Sequence, residues 1–174
     1  LGRDFEIAVV DGRRGLGNGI CLPAGPLREP EARLHTVDVV LVNGAGEWQY
    51  PNALTLSLVP RRVYPLTGGL ERSLADFRGE RVHAVAGIGN PQRFFELLEE
   101  SGLVVTGHPH ADHARLEPED LQFRDKLPIL ITEKDEVRCH SFAADDVWCV
   151  AVEMRFDANH GERLMQRVLE VIES

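Results

Sequence analysis

Cysteine is scarce in this 174-residue sequence, which contains only Cys21, Cys139 and Cys149. An odd number of cysteines without CxxC spacing argues against a disulfide framework and against a structural zinc site. We therefore expect three reduced thiols, buried as small apolar side chains in a cytosolic protein.

Long apolar segments are lacking as well. The longest apolar runs fall far short of the roughly 20 residues that a membrane-spanning helix needs. The first residues, LGRDFEIAVV, have neither the basic and apolar regions of a signal peptide nor an initiator methionine. They run directly into a predicted strand, so we expect the sequence to continue a longer chain.

Positive charge is in deficit. The sequence has 28 Asp and Glu against 19 Lys and Arg, which gives a formal net charge of −9. Broad nucleic-acid binding needs clustered Lys and Arg to neutralise phosphates, so we expect no nucleic-acid partner. A local basic patch remains compatible with this total.

The apolar residues that are present predict an α/β fold. Short apolar runs bounded by turn residues indicate strands, and apolar residues spaced three and four apart indicate helices. From residue 81 onward the two alternate, which favours a mainly parallel sheet with flanking helices. Strands are predicted at 5–10, 38–43, 81–90 (with its glycine turn), 103–108, 128–132 and 147–156, and helices at 91–102 and 161–174.

Residues 53–66 have a different pattern, because apolar and polar side chains alternate as in a half-exposed strand. Pro60 is expected to break this strand, and residues 62–66 then return as its antiparallel partner. This short strand pair divides the chain into residues 1–52, a linker at 53–66 and a smaller α/β lobe at 67–174.

A loop rich in glycine and proline, residues 11–30, follows the first strand and contains Arg13, Arg14 and Arg28. Guanidinium groups bind phosphate oxygens in a bidentate way, so this loop is a candidate phosphate site. The alternative is a structural excursion with solvated arginines. The loop does not match G-x-G-x-x-G, and the sequence contains no G-x-x-x-x-G-K-[ST] phosphate loop.

Two further strand ends carry candidate ligand contacts. In Gly87-Ile88-Gly89-Asn90-Pro91, Asn90 can cap a helix that begins at Pro91. The free backbone amides at the start of this helix favour the binding of an anion. The alternative is that the glycines only permit a tight turn. In Thr132-Glu133-Lys134-Asp135, Thr132 is expected to cap a helix whose first turn carries the charges.

The segment from His108 to His113 concentrates histidine beside Asp112. Without helical spacing or a cysteine partner, a metal site on His108, His110 and His113, as in a metal hydrolase, is the weaker reading. His113 fits better as one member of an acid–base pair whose partner lies elsewhere, and a solvated polar loop is the alternative.

Taken together, the order of several motifs is distinctive: VVDGRRGLGNG, LPAGPLREP, DVVLVNG, VHAVAGIGNPQRFFELLEESGL, the ADH of residues 111–113, and ILITEKDEVRC. With them the sequence resembles the tetraacyldisaccharide 4'-kinases of lipid A biosynthesis in Gram-negative bacteria. The resemblance implies the C-terminal part of a two-lobed P-loop-type kinase at the cytoplasmic face of the inner membrane. It also implies ATP and Mg²⁺ as cofactors and a lipid A precursor disaccharide as substrate.

The resemblance assigns roles residue by residue. The family's Asp-His pair maps onto Asp112 and His113, with His113 in a catalytic dyad with an aspartate outside this sequence. The LREP match makes Arg28 a phosphate contact and Glu29 a metal or substrate contact. Looser matches assign substrate or phosphate contacts to Asp11, Arg13 and Asn90.

The chain departs from the family's F-P-D-H-H pattern, because His110, Ala111 and Ala114 stand where the family has Phe, Pro and a second His. No complete metal site of its own is expected in this chain. The phosphate loop and the membrane anchor are expected in an N-terminal portion that the sequence lacks, so this chain alone is expected to be inactive. The alternative is a non-catalytic module that binds a nucleotide or a sugar phosphate.

Overall fold

The protein is described by a computed structural model that covers residues 3–112, 116–139, 141–142 and 144–173. It contains two compact units. The first unit comprises the described residues up to Leu58 together with those from Met154 onward, and the second unit comprises Val59–Glu153. None of the helices in these described ranges is long and apolar enough to cross a membrane.

The first unit is built on parallel strands. Strand β1 (Ile7–Asp11) pairs with β2 (Val39–Asn43), and β2 pairs with the start of β3 (Leu54–Pro65). Helix α3 (His160–Ile172) packs one apolar stripe onto this sheet through Leu164. The helix begins where the His160 imidazole accepts the Thr55 amide proton, with 2.9 Å from Thr55 N to Nδ1.

The second unit has the strand order β3-β7-β6-β4-β5. Strands β4 (Arg81–Ala86), β5 (Val104–Pro109), β6 (Ile129–Thr132) and the first part of β7 (Val147–Phe156) are parallel to one another. Helix α1 (Pro91–Glu100) follows β4, and the short helix α2 (Glu133–Cys139) follows β6. Strands β4 and β6 are buried on both sides, which is why they are continuous apolar runs in the sequence, whereas the edge strand β5 is largely exposed.

The predicted mainly parallel sheet with flanking helices is therefore confirmed, and so is the presence of an antiparallel strand pair. The predicted break at Pro60 is wrong, because β3 is one strand from Leu54 to Pro65. Its antiparallel partner is β7, as shown by the bonds from Asp157 N to Thr55 O and from Leu66 N to Val147 O. Strand β2 pairs only with the first residues of β3, so the missing N–H of Pro60 costs no bond on that side.

The two units differ from the sequence-based division at the C-terminal end. The sequence predicts residues 67–174 as one lobe, whereas the described residues from Met154 onward belong to the first unit. The reason is the packing of α3, whose Leu164 lies against the buried cluster that contains Leu54 and Leu56 of β3. The division into 1–52, 53–66 and 67–174 stays a prediction.

Candidate functional site

In the first unit, the carboxyl end of β1 opens directly into the glycine- and arginine-rich loop. The Asp11 carboxylate accepts the backbone N–H groups of Arg13 and Arg14, at 2.9 and 3.1 Å from Oδ1. The Asp11 carbonyl accepts the N–H of Gly15 at 2.8 Å. Asp11 thus fixes the first turn of the loop and the position at which Arg13 leaves it.

Glycines join this loop to the turn after β2. A Cβ atom on Gly46 would lie 1.9 Å from Gly12 O and 2.5 Å from Arg13 N. A Cβ atom on Gly12 would lie 2.4 Å from Gly44 O. The two turns at the ends of β1 and β2 are therefore in direct backbone contact, and only glycine permits this distance.

Arg28 and Glu29 line an open cleft beside β1, with a volume of about 540 Å³. Glu29 is engaged by Arg33, whose Nε lies 2.8 Å from its carboxylate. Arg33 also bonds Glu6, and this contact holds the pKa of the Glu6 carboxyl below its ordinary value. Arg28 is exposed and has no hydrogen-bond or ion-pair partner within the part of the chain that the structure describes.

In the second unit, the turn of residues 87–90 after β4 lies against the segment that follows β5. His110 N donates to Ala86 O at 2.9 Å. A Cβ atom on Gly89 would lie 3.3 Å from Oδ2 of Asp112, which is itself exposed. The structure therefore brings Asp112 to the Gly87–Asn90 turn; His113 lies outside the described residues.

The expected helix start at Pro91 is confirmed, since Pro91 is the first residue of α1. The expected cap by Asn90 is wrong, because its side chain makes no capping hydrogen bond and its backbone is not in an extended cap conformation. Asn90 therefore lies at the helix start, beside the turn, without holding it.

A buried carboxylate lies directly beneath this turn. Asp135 in α2 has no exposed surface, and its oxygens lie 3.2 and 3.3 Å from Gly87 N. Thr132 Oγ1 donates to Asp135 Oδ2 at 2.7 Å, and Asp135 N donates back to Thr132 Oγ1 at 3.3 Å, so the predicted cap is confirmed. Sequence reasoning missed the burial of Asp135, because a charge in the first turn of a helix is usually solvated.

Sequence reasoning also missed a histidine cluster that consists of His83, His108, Phe123 and Asp125. His83 is buried in β4; its Nδ1 lies 2.9 Å from His108 Nε2, and its Nε2 lies 2.9 Å from Asp125 Oδ1. Phe123 stacks on His83 with ring centroids 3.7 Å apart. A histidine inside the apolar run RVHAVA was the available signal. Among the described residues no group of three His, Cys, Asp or Glu is arranged to hold a metal.

We expect this cluster to make the second unit less stable in acid. Burial, and then electrostatic repulsion from the neighbouring imidazoles of His83 and His110, lower the pKa of His108 from its ordinary value of 6.5. The hydrogen bond from His83 lowers the pKa of Asp125 from 3.8. As the pH falls, the unfolded chain therefore binds each of these protons before the folded chain does. The stability that neutral His108 contributes is present above pH 6.5 and is lost as the pH falls from 6.5 toward the lower folded-state pKa of His108. The contribution of Asp125 is present above pH 3.8 and is lost as the pH falls through its lower folded-state pKa.

Urea unfolding followed by Trp148 fluorescence, in a Trp48→Phe background, checks this expectation between about pH 7.5 and 5.5. His108→Gln should flatten the dependence in that range, because it removes the titrating group. An equally steep loss of stability in His108→Gln would contradict the assignment.

The two buried cysteines, Cys139 and Cys149, do not provide nucleophiles to the second unit. Burial raises the pKa of the Cys139 thiol to about 11 and that of Cys149 to about 12, so both are protonated at neutral pH. All three cysteines are free thiols, as expected, but the expected burial holds only for Cys139 and Cys149, since Cys21 is half-buried in the glycine-rich loop.

Comparison with known proteins gives consistent matches. The family model described as LpxK, tetraacyldisaccharide-1-P 4'-kinase, matches residues 1–170. The tetraacyldisaccharide 4'-kinase of Pseudomonas putida strain W619 is 51% identical over 154 residues, which are 88% of this chain and 46% of that protein. The corresponding protein of Nitrosococcus oceani is 46% identical over 168 residues, 95% of this chain and 48% of that protein.

Among solved structures, LpxK from Aquifex aeolicus in complex with ATP matches with a TM-score of 0.63 and 18% identity. The match covers 98% of this chain and 53% of that one. At this identity the likeness concerns the fold. This chain spans about half the length of the curated relatives it matches.

Proposed function

The chain belongs to the tetraacyldisaccharide-1-P 4'-kinase family, and we propose that it is part of an enzyme that transfers the γ-phosphoryl group of ATP to the 4'-hydroxyl of a tetraacyldisaccharide 1-phosphate. The observation that carries this proposal is the family match over residues 1–170. The product would be an intermediate of lipid A biosynthesis. Because the relatives are about twice as long, we propose that their phosphate loop lies in a portion outside this chain.

Arg28 is the proposed phosphate contact of the first unit. Its guanidinium is exposed at a cleft and has no partner in the described ranges, so it is available to an anion without breaking an existing ion pair. Phosphoryl transfer is catalysed mainly by positioning and by stabilising charge, and a guanidinium supplies both. Asp11 supports this loop by holding the turn from which Arg13 extends.

In the second unit, we propose His113 as the group that accepts the proton of the sugar hydroxyl, with Asp112 beside it. Support comes from Asp112, whose carboxylate is exposed next to the glycine turn after β4. The carboxyl ends of parallel strands are the usual location of ligands in open α/β sheets. Asn90 at the start of α1 is a proposed substrate contact at the same strand ends.

We propose that this chain contributes at most Glu29 to a Mg²⁺ site whose other ligands lie outside it. No group of three candidate ligands exists among the described residues, and the Glu29 carboxylate is engaged by Arg33. When bound, Mg²⁺ and ATP would supply charge neutralisation and the transferred group.

The proposed location is the cytoplasmic face of the bacterial inner membrane, with peripheral attachment through a segment outside this chain. The acyl chains of the proposed substrate require a membrane surface nearby. A formal charge of −9 gives this chain no general attraction to anionic lipids, so a separate attachment is consistent with its composition.

Calorimetric titration of the isolated chain with Mg–ATP tests how the site is divided. We expect no saturable binding tighter than about 100 µM, equivalent to about 5.5 kcal/mol, because the backbone amides of a phosphate loop are absent from this sequence. Tighter binding that is lost in Arg28→Ala would instead support a self-sufficient nucleotide-binding module.

A further inference from the structure

The peptide groups at Gly87 are held from both sides by side chains of α2. Asp135 accepts the Gly87 N–H, with Oδ1 3.2 Å from the nitrogen. Arg138 Nη1 donates to the Gly87 carbonyl at 2.8 Å and lies 3.1 Å from Asp135 Oδ1. The donor and the acceptor of one glycine are thus fixed by a single ion pair from a neighbouring element.

This ion pair is more than helix capping requires. Thr132 already supplies the hydroxyl that accepts the Asp135 N–H at the start of α2. A fully buried carboxylate pays a desolvation cost that an apolar side chain would avoid, so its presence is not explained by stability alone. The pair does fix the position and orientation of the turn after β4, because it binds both the N–H and the carbonyl of Gly87.

The turn in turn supports the segment that contains Asp112. A Cβ atom on Gly87 would lie 3.2 Å from Asp135 Oδ1 and 3.7 Å from Ala111 O, so both lie against the same glycine. The Asp112 carboxylate lies 3.3 Å from the corresponding point on Gly89. The hydrogen bond from His110 N to Ala86 O joins the start of the same segment to the end of β4. Residues 110–112 therefore pack against the turn after β4, and Asp135 sets the position of that turn.

We propose that Asp135 is a positioning residue for phosphoryl transfer, which acts through Arg138 and the Gly87–Gly89 turn to hold the Asp112 carboxylate in place. This inference rests on the proposed function and deepens it. Asp135 itself touches no reacting group. Its role is to prevent displacement of Asp112, and displacements of about 1 Å in a catalytic group can cost up to about 100-fold in rate.

The test is Asp135→Asn in a polypeptide extended to the full length of the relatives. The amide keeps the size of the side chain, but it removes the charge that Arg138 pairs with and turns one acceptor into a donor. We expect kcat to fall about 10- to 100-fold, with the KM values for ATP and for the lipid within about 3-fold. Glu99→Gln, at an exposed position of α1, is the matched control and should leave both constants unchanged.

A double-mutant cycle separates positioning from general destabilisation. If Asp135 acts through Asp112, then Asp135→Asn should cost less than about 3-fold once Asp112 is already Asn. An equal loss of kcat in both backgrounds would overturn the proposal, because a structural defect lowers activity whatever residue stands at position 112.

A second measurement does not depend on kinase activity. In the isolated chain, Asp135→Asn should accelerate amide hydrogen exchange at Gly87, which bonds Asp135, and at His110, which bonds Ala86 O, by about 10-fold or more while the core strands keep their protection. A uniform acceleration across the second unit, or none at these two amides, would refute the positioning role. Absence of kinase activity in the unsubstituted full-length protein would refute the proposed function and would leave the exchange result to decide the positioning on its own.

Discussion

His113→Ala should lower kcat by roughly 10²–10⁴-fold in a polypeptide extended to the full length of the relatives, which is the usual contribution of general acid–base catalysis. Under the proposed function, His113 takes the proton of the sugar hydroxyl as the phosphoryl group is transferred. Without the imidazole, the hydroxyl must attack while still protonated or lose its proton to water. Steady-state kinetics with saturating Mg–ATP and lipid measures the loss.

Two features distinguish this result from a folding defect. The pH dependence of kcat/KM should lose its acidic limb in His113→Ala, since only the deprotonated imidazole is active. His35→Gln, which changes an exposed histidine that bonds Tyr50, should retain the unsubstituted kcat and pH profile. Turnover of His113→Ala close to that of the unsubstituted enzyme would remove His113 from the mechanism.

Gly46→Ala should destabilise the first unit by about 3 kcal/mol, at the upper end of the cost of overpacking. The new methyl group would meet Gly12 O at 1.9 Å and Arg13 N at 2.5 Å, and both are backbone atoms that cannot rotate away. Relief requires the turn after β2 and the arginine-bearing loop to separate. Urea unfolding followed by Trp48 fluorescence, in a Trp148→Phe background, reports on this unit alone.

Gly19→Ala is the matched control in the same loop. Gly19 has a positive φ of 71° but no atom within 4 Å of the added methyl group. It should therefore cost only the backbone term, about 1 kcal/mol. Equal costs for the two substitutions would show that the contact between the two turns contributes nothing.

The sequence predicted the elements whose patterns are complete within a single segment. Strand β7 has the predicted bounds, Val147–Phe156, because ten residues of mainly apolar and β-branched character are bounded by charged turns. Helix α1 begins at the predicted Pro91. Each of these depends on local spacing and turn chemistry, which a sequence shows directly.

The errors concern partners that are distant in sequence. Pro60 was predicted to break its strand. The strand in fact continues, because β2 pairs only with the first residues of β3, and a sequence does not show where a strand lacks a neighbour. Asp135 looked like a solvated charge, because its burial depends on Gly87, which lies 48 residues earlier. His83 looked like an ordinary strand residue until β5 and the segment with Phe123 and Asp125 were placed beside it.

The candidate site divides in the same way. The specific roles of Arg28 and Asp112 came from the resemblance to a family, and the structure gives each a setting: an exposed cation at a cleft and an exposed carboxylate at a glycine turn. The role of His113 stays a prediction, because that residue lies outside the described ranges. Spacing alone could not have separated these residues from solvated loop positions.

The unequal burial of the three sulfur atoms has a practical consequence. Cys139 and Cys149 are sealed inside the second unit, whereas Cys21 lies partly open in the loop that also carries Arg13 and Arg28. We therefore expect a maleimide dye, applied to the folded protein at neutral pH, to label Cys21 selectively. Cys21 thus allows a spectroscopic reporter to be attached to the arginine-bearing loop without an engineered cysteine.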